Sequence, residues 1–121
     1  MTDLDAYILG TDQEELDRLE LQHKVWASET RKGWSNAKFH EGQTILDLGC
    51  GPGSCSVELA EIVGPNGKVV ALDRSKSFIT YLDAYAQKLN LPIATICSDF
   101  NAMKLEDESL DGIYSRWALA W

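Results

Sequence analysis

Three glycines at every second position, Gly49, Gly51 and Gly53, follow the apolar run that begins at Ile45, and an acid, Asp47, stands inside that run. Two further apolar runs close on carboxylates: "KVVALD" on Asp73 and "IATICSD" on Asp99. A glycine-rich turn lets a ligand approach the backbone closely. A helix that starts just after it, at Ser54, points unpaired amides and a partial positive charge at whatever binds there. Carboxylates accept paired hydrogen bonds from a diol or an exocyclic amine, so Asp73 and Asp99 suit a nucleoside without phosphates. Each acid alone reads as an ordinary turn or cap residue. Three of them converging on one crevice with the glycine turn read as a binding site.

The spacing narrows the ligand. A dinucleotide fingerprint needs G-x-G-x-x-G. Here the third glycine comes one residue early, Pro52 stands inside the turn, and Ser54 occupies the position where glycine is required. A P-loop fails as well, because no Gly-Lys-Ser/Thr follows. His23 and His40 are candidate bases toward a substrate hydroxyl or amine, against the plainer reading of satisfied or exposed histidines. Cys50, Cys55 and Cys97 form neither an even disulfide set nor a metal-ligand spacing, and read as reduced thiols.

The elements that must hold these residues follow from periodicity. Residues 11–32 read as a helix, with a Thr11–Glu14 capping box and an apolar stripe through Leu16, Leu19, His23 and Trp26. Glu14–Arg18 and Glu20–Lys24 pair at i,i+4, and Gly33 ends or bends the helix. A connector leads to a strand over 44–49 and a helix over 54–63 with Cys55, Leu59 and Ile62 on one face. The breakers of "GPNG" precede a doubly covered strand over 68–73. A helix over 76–90 turns Phe78, Ile79, Leu82, Ala86 and Leu89 inward. A third strand spans 93–99, and a fourth lies near 112–115. Strands alternating with helices in this order imply βαβ units and a doubly wound, mainly parallel α/β sheet. Ligands bind such sheets outside the carboxyl ends of the strands.

At this point "ILDLGCGPGSCSVELAE" resembles motif I of the class I S-adenosylmethionine-dependent methyltransferases, an acid followed by G-x-G-x-G. "VVALDRS" is similar to that family's second-strand motif and implies that Asp73, with Arg74 beside it, binds the ribose hydroxyls. "CSDFNAM" resembles the third-strand motif and implies that Asp99 meets the adenine amino group, with Phe100 against the ring. "LDGIYSRWALAW" resembles the fourth-strand segment, which places Ser115, Arg116 and Trp117 near the methionine part. Gly49, Cys50 and Gly51 would cradle the amino-acid end. Asp47 either reaches its ammonium through water or braces the turn. The leading helix is similar to one that covers the cofactor, which brings Tyr7 and Gln22 to the methionine end, against a helix that only packs on the sheet. The cofactor's sulfonium is cationic, and an acidic crevice with aromatic faces favours it.

The resemblance implies a Rossmann-like fold in two parts, a helical cover over 1–40 and the cofactor-binding half of a methyltransferase domain over 41–121. It also implies a chain truncated after about the fourth strand, since the family carries seven. An apolar fourth strand left at the edge invites association, so a homodimer through that edge is an expectation. The activity implied is methyl transfer to a small-molecule acceptor; the alternative is a non-catalytic module that binds S-adenosylmethionine or S-adenosylhomocysteine. A nicotinamide-dependent enzyme is the remaining option. The 121 residues allow one domain, 45% hydrophobic, with a net charge of -8. That charge and the scattered basic residues argue against nucleic acid. No run approaches the roughly 20 apolar residues of a membrane span, and the acidic start lacks a secretory pattern. A cytoplasmic protein is expected.

Overall fold

A computed structural model describes residues 13–99 and 110–115. The chain runs α1 (Gln13–Asn36), β1 (Thr44–Leu48), α2 (Ser54–Val63), β2 (Lys68–Asp73), α3 (Lys76–Leu89), β3 (Ile93–Cys97) and β4 (Gly112–Tyr114). The four strands form one parallel sheet in the order β3-β2-β1-β4. Two βαβ steps carry the chain away from β1, and β4 then returns to its other side. That reversal opens a crevice at the carboxyl end of β1.

Strand periodicity decides which residues face which layer. Ile45 pairs with Val69 and Asp47 with Ala71, so these four share one face. Ile45 and Val69 pack with Leu59, Ala60 and Val63 of α2 and with Trp34 of α1. Ala71 packs with Ile79 and Leu82 of α3. On the opposite face Leu46, Leu48, Val70 and Leu72 form a separate buried cluster with Ile96 and Leu110. β2 is thus apolar on both faces, as the run "KVVALD" suggests, and β1 is so but for the buried Asp47.

Several details differ from the sequence reading. Helix α1 passes through Gly33 and ends three residues later. Its stop is a Schellman arrangement: Lys38 takes a left-handed φ of 61°, Lys38 N–H donates to Ser35 and Phe39 N–H to Trp34. The hydrophobic contact that such an ending requires is supplied by Phe39, packed against the Trp34 cluster. An exposed glycine costs a helix about 1 kcal/mol relative to alanine, which the burial of the adjacent Trp34 offsets. The buried side of α1 continues through Ala27, Thr30 and Trp34, and Trp26 is 50% exposed. A helical stripe that passes through His23 advances by four residues to 27, so Trp26 falls off it. Leu89, expected inside, is exposed beside the left-handed Asn90 cap of α3. Arg18 pairs with Glu15 at 4.0 Å, while the Glu20–Lys24 pair stands at 3.8 Å. β3 ends at Cys97, two residues before Asp99. Thr11 of the capping box lies outside the described residues.

Candidate functional site

The site grows from the end of β1. Asp47 shares its face with Ile45 and so points at α2, where Ser56 Oγ donates to Asp47 Oδ2 at 2.6 Å. Asp47 is 2% exposed and Ser56 fully buried. A strand end and the first turn of the following helix are thereby clasped across the glycine turn.

The turn itself is fastened to β2. The amides of Gly49 and Cys50 both donate to the carbonyl of Leu72, at 2.8 and 2.9 Å. Gly51 N–H donates to Asp73 Oδ2 at 2.9 Å, and Asp73 Oδ1 accepts from Ser75 N–H at 2.8 Å. Asp73 therefore joins the glycine turn to the start of α3, where Ser75 Oγ accepts from Phe78 N–H. Two backbone amides leave half of the carboxylate's roughly four lone-pair sites for a ligand. Gly51 stands at φ 57°, and a side chain built there would meet nothing within 4 Å. The space beside the turn is open to a ligand.

Gly53 forms the N-cap of α2 at φ 98°, and no side chain caps the helix. The amides of the first turn, at Ser54 and Cys55, are thus presented at the crevice. Gly53 is also required sterically, since a Cβ would lie 2.3 Å from Leu82 Cδ1.

These pieces enclose a cavity of about 100 Å³, walled by Asp47, Gly49, Cys50 and Gly51 from the turn, Ser54 and Cys55 from α2, Leu19 and His23 from α1, and Tyr114 from β4. A larger groove of about 350 Å³ lies between α1, the start of α2 and Tyr81 and Tyr85 of α3, sharing His23, Pro52 and Ser54 with the cavity. The smaller cavity is the site by position, because it alone holds the strand end and the first two glycines. Across the groove, burial, then Tyr85 and Glu20, push the Tyr81 hydroxyl pKa up.

The expected residues are distributed as follows. Asp47, Gly49, Cys50 and Gly51 line the cavity, and Asp73 is bonded to its rim. Asp99 is exposed beyond β3, on a segment held to β2 by the Ser98 amide, which donates to Asp73 O at 3.1 Å. Arg74 is exposed, and its carbonyl accepts from the Cys97 thiol at 3.6 Å. Ser115 directly follows β4, its Oγ buried without a hydrogen-bond partner among the described residues. Gln22 is half-buried on α1 and lines neither cavity; its neighbour His23 lines both. Phe100, Arg116, Trp117 and Tyr7 lie outside the described residues. Burial, and then the charges of Asp47 and Asp73, push the Cys50 thiol pKa far up, so it stays protonated. No disulfide joins Cys50, Cys55 and Cys97. Among the described residues no cluster of His, Cys, Asp and Glu could hold a metal, and no helix is long and apolar enough to cross a membrane.

An apolar parallel sheet whose order reverses at β1, with a G-x-G-x-G turn at that strand's end, defines a class of protein that comparison with known proteins identifies. Residues 39–120 match the family model described as a methyltransferase domain, and the chain belongs to that family. It is 37% identical over 92 residues to a demethylmenaquinone methyltransferase of Oceanobacillus iheyensis, a match covering 74% of this chain and 37% of the relative. Among solved structures it resembles a SAM-dependent methyltransferase from Aquifex aeolicus, with TM-score 0.68 and 25% identity over 95% of this chain and 57% of that one. It also resembles coclaurine N-methyltransferase bound to N-methylheliamine and SAH, with TM-score 0.64 and 26% identity over 74% of this chain and 26% of the other. The chain thus spans little more than a third of the length of the curated relative.

Proposed function

We propose that the chain binds S-adenosylmethionine and serves methyl transfer to a small-molecule acceptor. The observation that carries this reading is the Gly51–Asp73 bond at the carboxyl ends of adjacent parallel strands. It sets an open glycine turn beside a carboxylate with lone pairs to spare, which suits an amino-acid end on one side and a ribose diol on the other. The donor set fits the cofactor: peptide amides at the start of α2 for a carboxylate, Asp47 on the cavity wall for an ammonium, Asp73 for the ribose and Asp99 for the adenine amine. Bound S-adenosylmethionine supplies an electrophilic methyl group on a cationic sulfonium. The chain's residues hold and orient that group and exclude water from it, so that proximity and desolvation favour transfer. Residues 1–40 serve as the cover and 41–121 as the cofactor-binding part.

The acceptor class draws support from the relatives. One is named for demethylmenaquinone and another structure holds N-methylheliamine, both small molecules. Calorimetric titration with S-adenosylhomocysteine tests the cofactor, and transfer of labelled methyl to a reduced 1,4-naphthoquinone tests the chemistry. Saturable binding of the homocysteine nucleoside, with none of NAD, is expected. Binding of NAD alone overturns the reading. Binding of the nucleoside without turnover on any acceptor leaves a cofactor-binding module in place of an enzyme.

A further inference from the structure

The two histidines have different surroundings. His40 is exposed, with Nδ1 2.9 Å from the carbonyl of Lys38 two residues away. His23 is held by a relay between two helices. Its side chain is 13% exposed, and Nε2 lies 2.8 Å from Glu58 Oε2. The other oxygen of Glu58 is bonded to the Arg31 guanidinium, one helical stretch further along α1. Glu58 Oε2 has no aligned hydrogen-bond partner among the described residues, so its contact with Nε2 is an electrostatic one. The ring is thereby fixed with Nδ1 facing the first turn of α2, 3.6 Å from Cys55 Sγ. In that orientation it walls the small cavity beside Asp47, Gly49 and Gly51.

Resting on the cofactor reading above, we propose that His23 is a specificity-determining residue for the amino-acid end of the cofactor, donating from Nδ1–H to the ligand's carboxylate. The relay supplies the reason. Arg31 already matches the charge of Glu58, so a proton on His23 adds one positive charge to the cavity wall. That charge stands next to the uncapped amides of α2, and both act on the same anion. The Cys55 thiol is a weak partner and yields Nδ1 to a carboxylate. Asp47 on β1 accepts from Ser56 at the cavity wall, and Glu20 on α1 pairs with Lys24. The buried Cys50 thiol stays neutral. Glu58 is a positioning residue, which holds the Nε2 edge of the ring and leaves Nδ1 toward the first turn of α2.

The experiment compares S-adenosylhomocysteine with 5′-methylthioadenosine, which shares the nucleoside and thioether but lacks the amino acid. The whole 121-residue chain is titrated calorimetrically. His23→Asn should weaken the homocysteine nucleoside by roughly 10- to 100-fold, the range for loss of a charge-assisted hydrogen bond, and leave methylthioadenosine unchanged. Glu58→Gln, which loosens the hold on the ring, should weaken S-adenosylhomocysteine by a smaller factor and likewise leave methylthioadenosine unchanged. His23→Gln serves as a second variant if circular dichroism shows that the first has lost its fold. An equal loss for both nucleosides would reduce His23 to a packing role and overturn the proposal. So would unchanged affinity. If the unsubstituted chain binds neither nucleoside, the cofactor reading itself fails, and this assignment falls with it.

Discussion

Ser56→Ala removes one hydroxyl from the clasp that joins the end of β1 to α2. Ser56 is fully buried, Asp47 is 2% exposed, and the bond between them is 2.6 Å, within the range of a hydroxyl donating to a carboxylate. Hydrogen bonds to charged groups contribute about 1.5–3 kcal/mol. Burial at both ends removes the solvent that would compensate, so a loss of about 2 kcal/mol is expected. For a domain of this size that corresponds to a fall in Tm of about 6–12 °C. Urea unfolding of the unsubstituted chain and the variant measures it directly. Asp47→Asn separates charge from geometry, because the amide oxygen still accepts from Ser56. In that background Ser56→Ala should cost nearer 1 kcal/mol, the scale of a neutral bond. A Ser56→Ala variant within about 0.5 kcal/mol of the parent, the range of an uninvolved surface change, would refute the clasp.

Three more substitutions or reagents address the same region. Gly53→Ala places a Cβ 2.3 Å from Leu82 Cδ1, on a side chain with no exposed surface, at a φ of 98°. Overpacking and backbone strain together should cost about 2–4 kcal/mol in urea unfolding, and a neutral variant would mean Leu82 has room to move. Asp73→Ala should weaken S-adenosylhomocysteine by roughly 10- to 100-fold in calorimetry; unchanged affinity would remove Asp73 from the site. Cys50, held protonated by burial, should resist iodoacetamide at mildly alkaline pH while exposed Cys97 reacts, as peptide mass spectrometry reports. Its folded pKa is raised above the unfolded value of about 8.5. The stability it contributes is therefore present below that pH and falls as pH rises beyond it; a Cys50→Ala variant should lose that alkaline slope.

The strands were legible because their signal is local. "TILDL" and "KVVALD" are short apolar runs bounded by turn residues, and their order with the helices leaves a parallel sheet as the simple solution. The glycine turn was legible for the same reason, whereas the bond from Ser56 to Asp47 across it was not, because it joins residues whose meeting depends on how α2 packs. The end of α1 was not. Gly33 carries the usual mark of a helix stop, whereas the actual stop uses Lys38 in a left-handed conformation, stabilised by Phe39 folding back on Trp34. That contact has no mark in a propensity scale.

The phase of α1 beyond His23 was only partly legible. Neighbouring residues on a helix point about 100° apart, so a face assigned one residue out replaces the side chain that meets the site. Trp26 pulled the apparent stripe toward 26, yet small Ala27 and Thr30 are the buried positions, and only a stripe through 23, 27, 30 and 34 joins them. On that phase His23 faces α2, and Glu58 and Cys55, 35 and 32 residues later in the chain, become its partners. A pair separated so far leaves no trace in periodicity. The phase can be checked on its own: Trp26→Ala, on the exposed side, should shift stability by less than about 0.5 kcal/mol. Ala27→Leu, forced into a buried position, should cost about 1–3 kcal/mol by overpacking. The reverse order in urea unfolding would rotate α1 and withdraw His23 from the cavity.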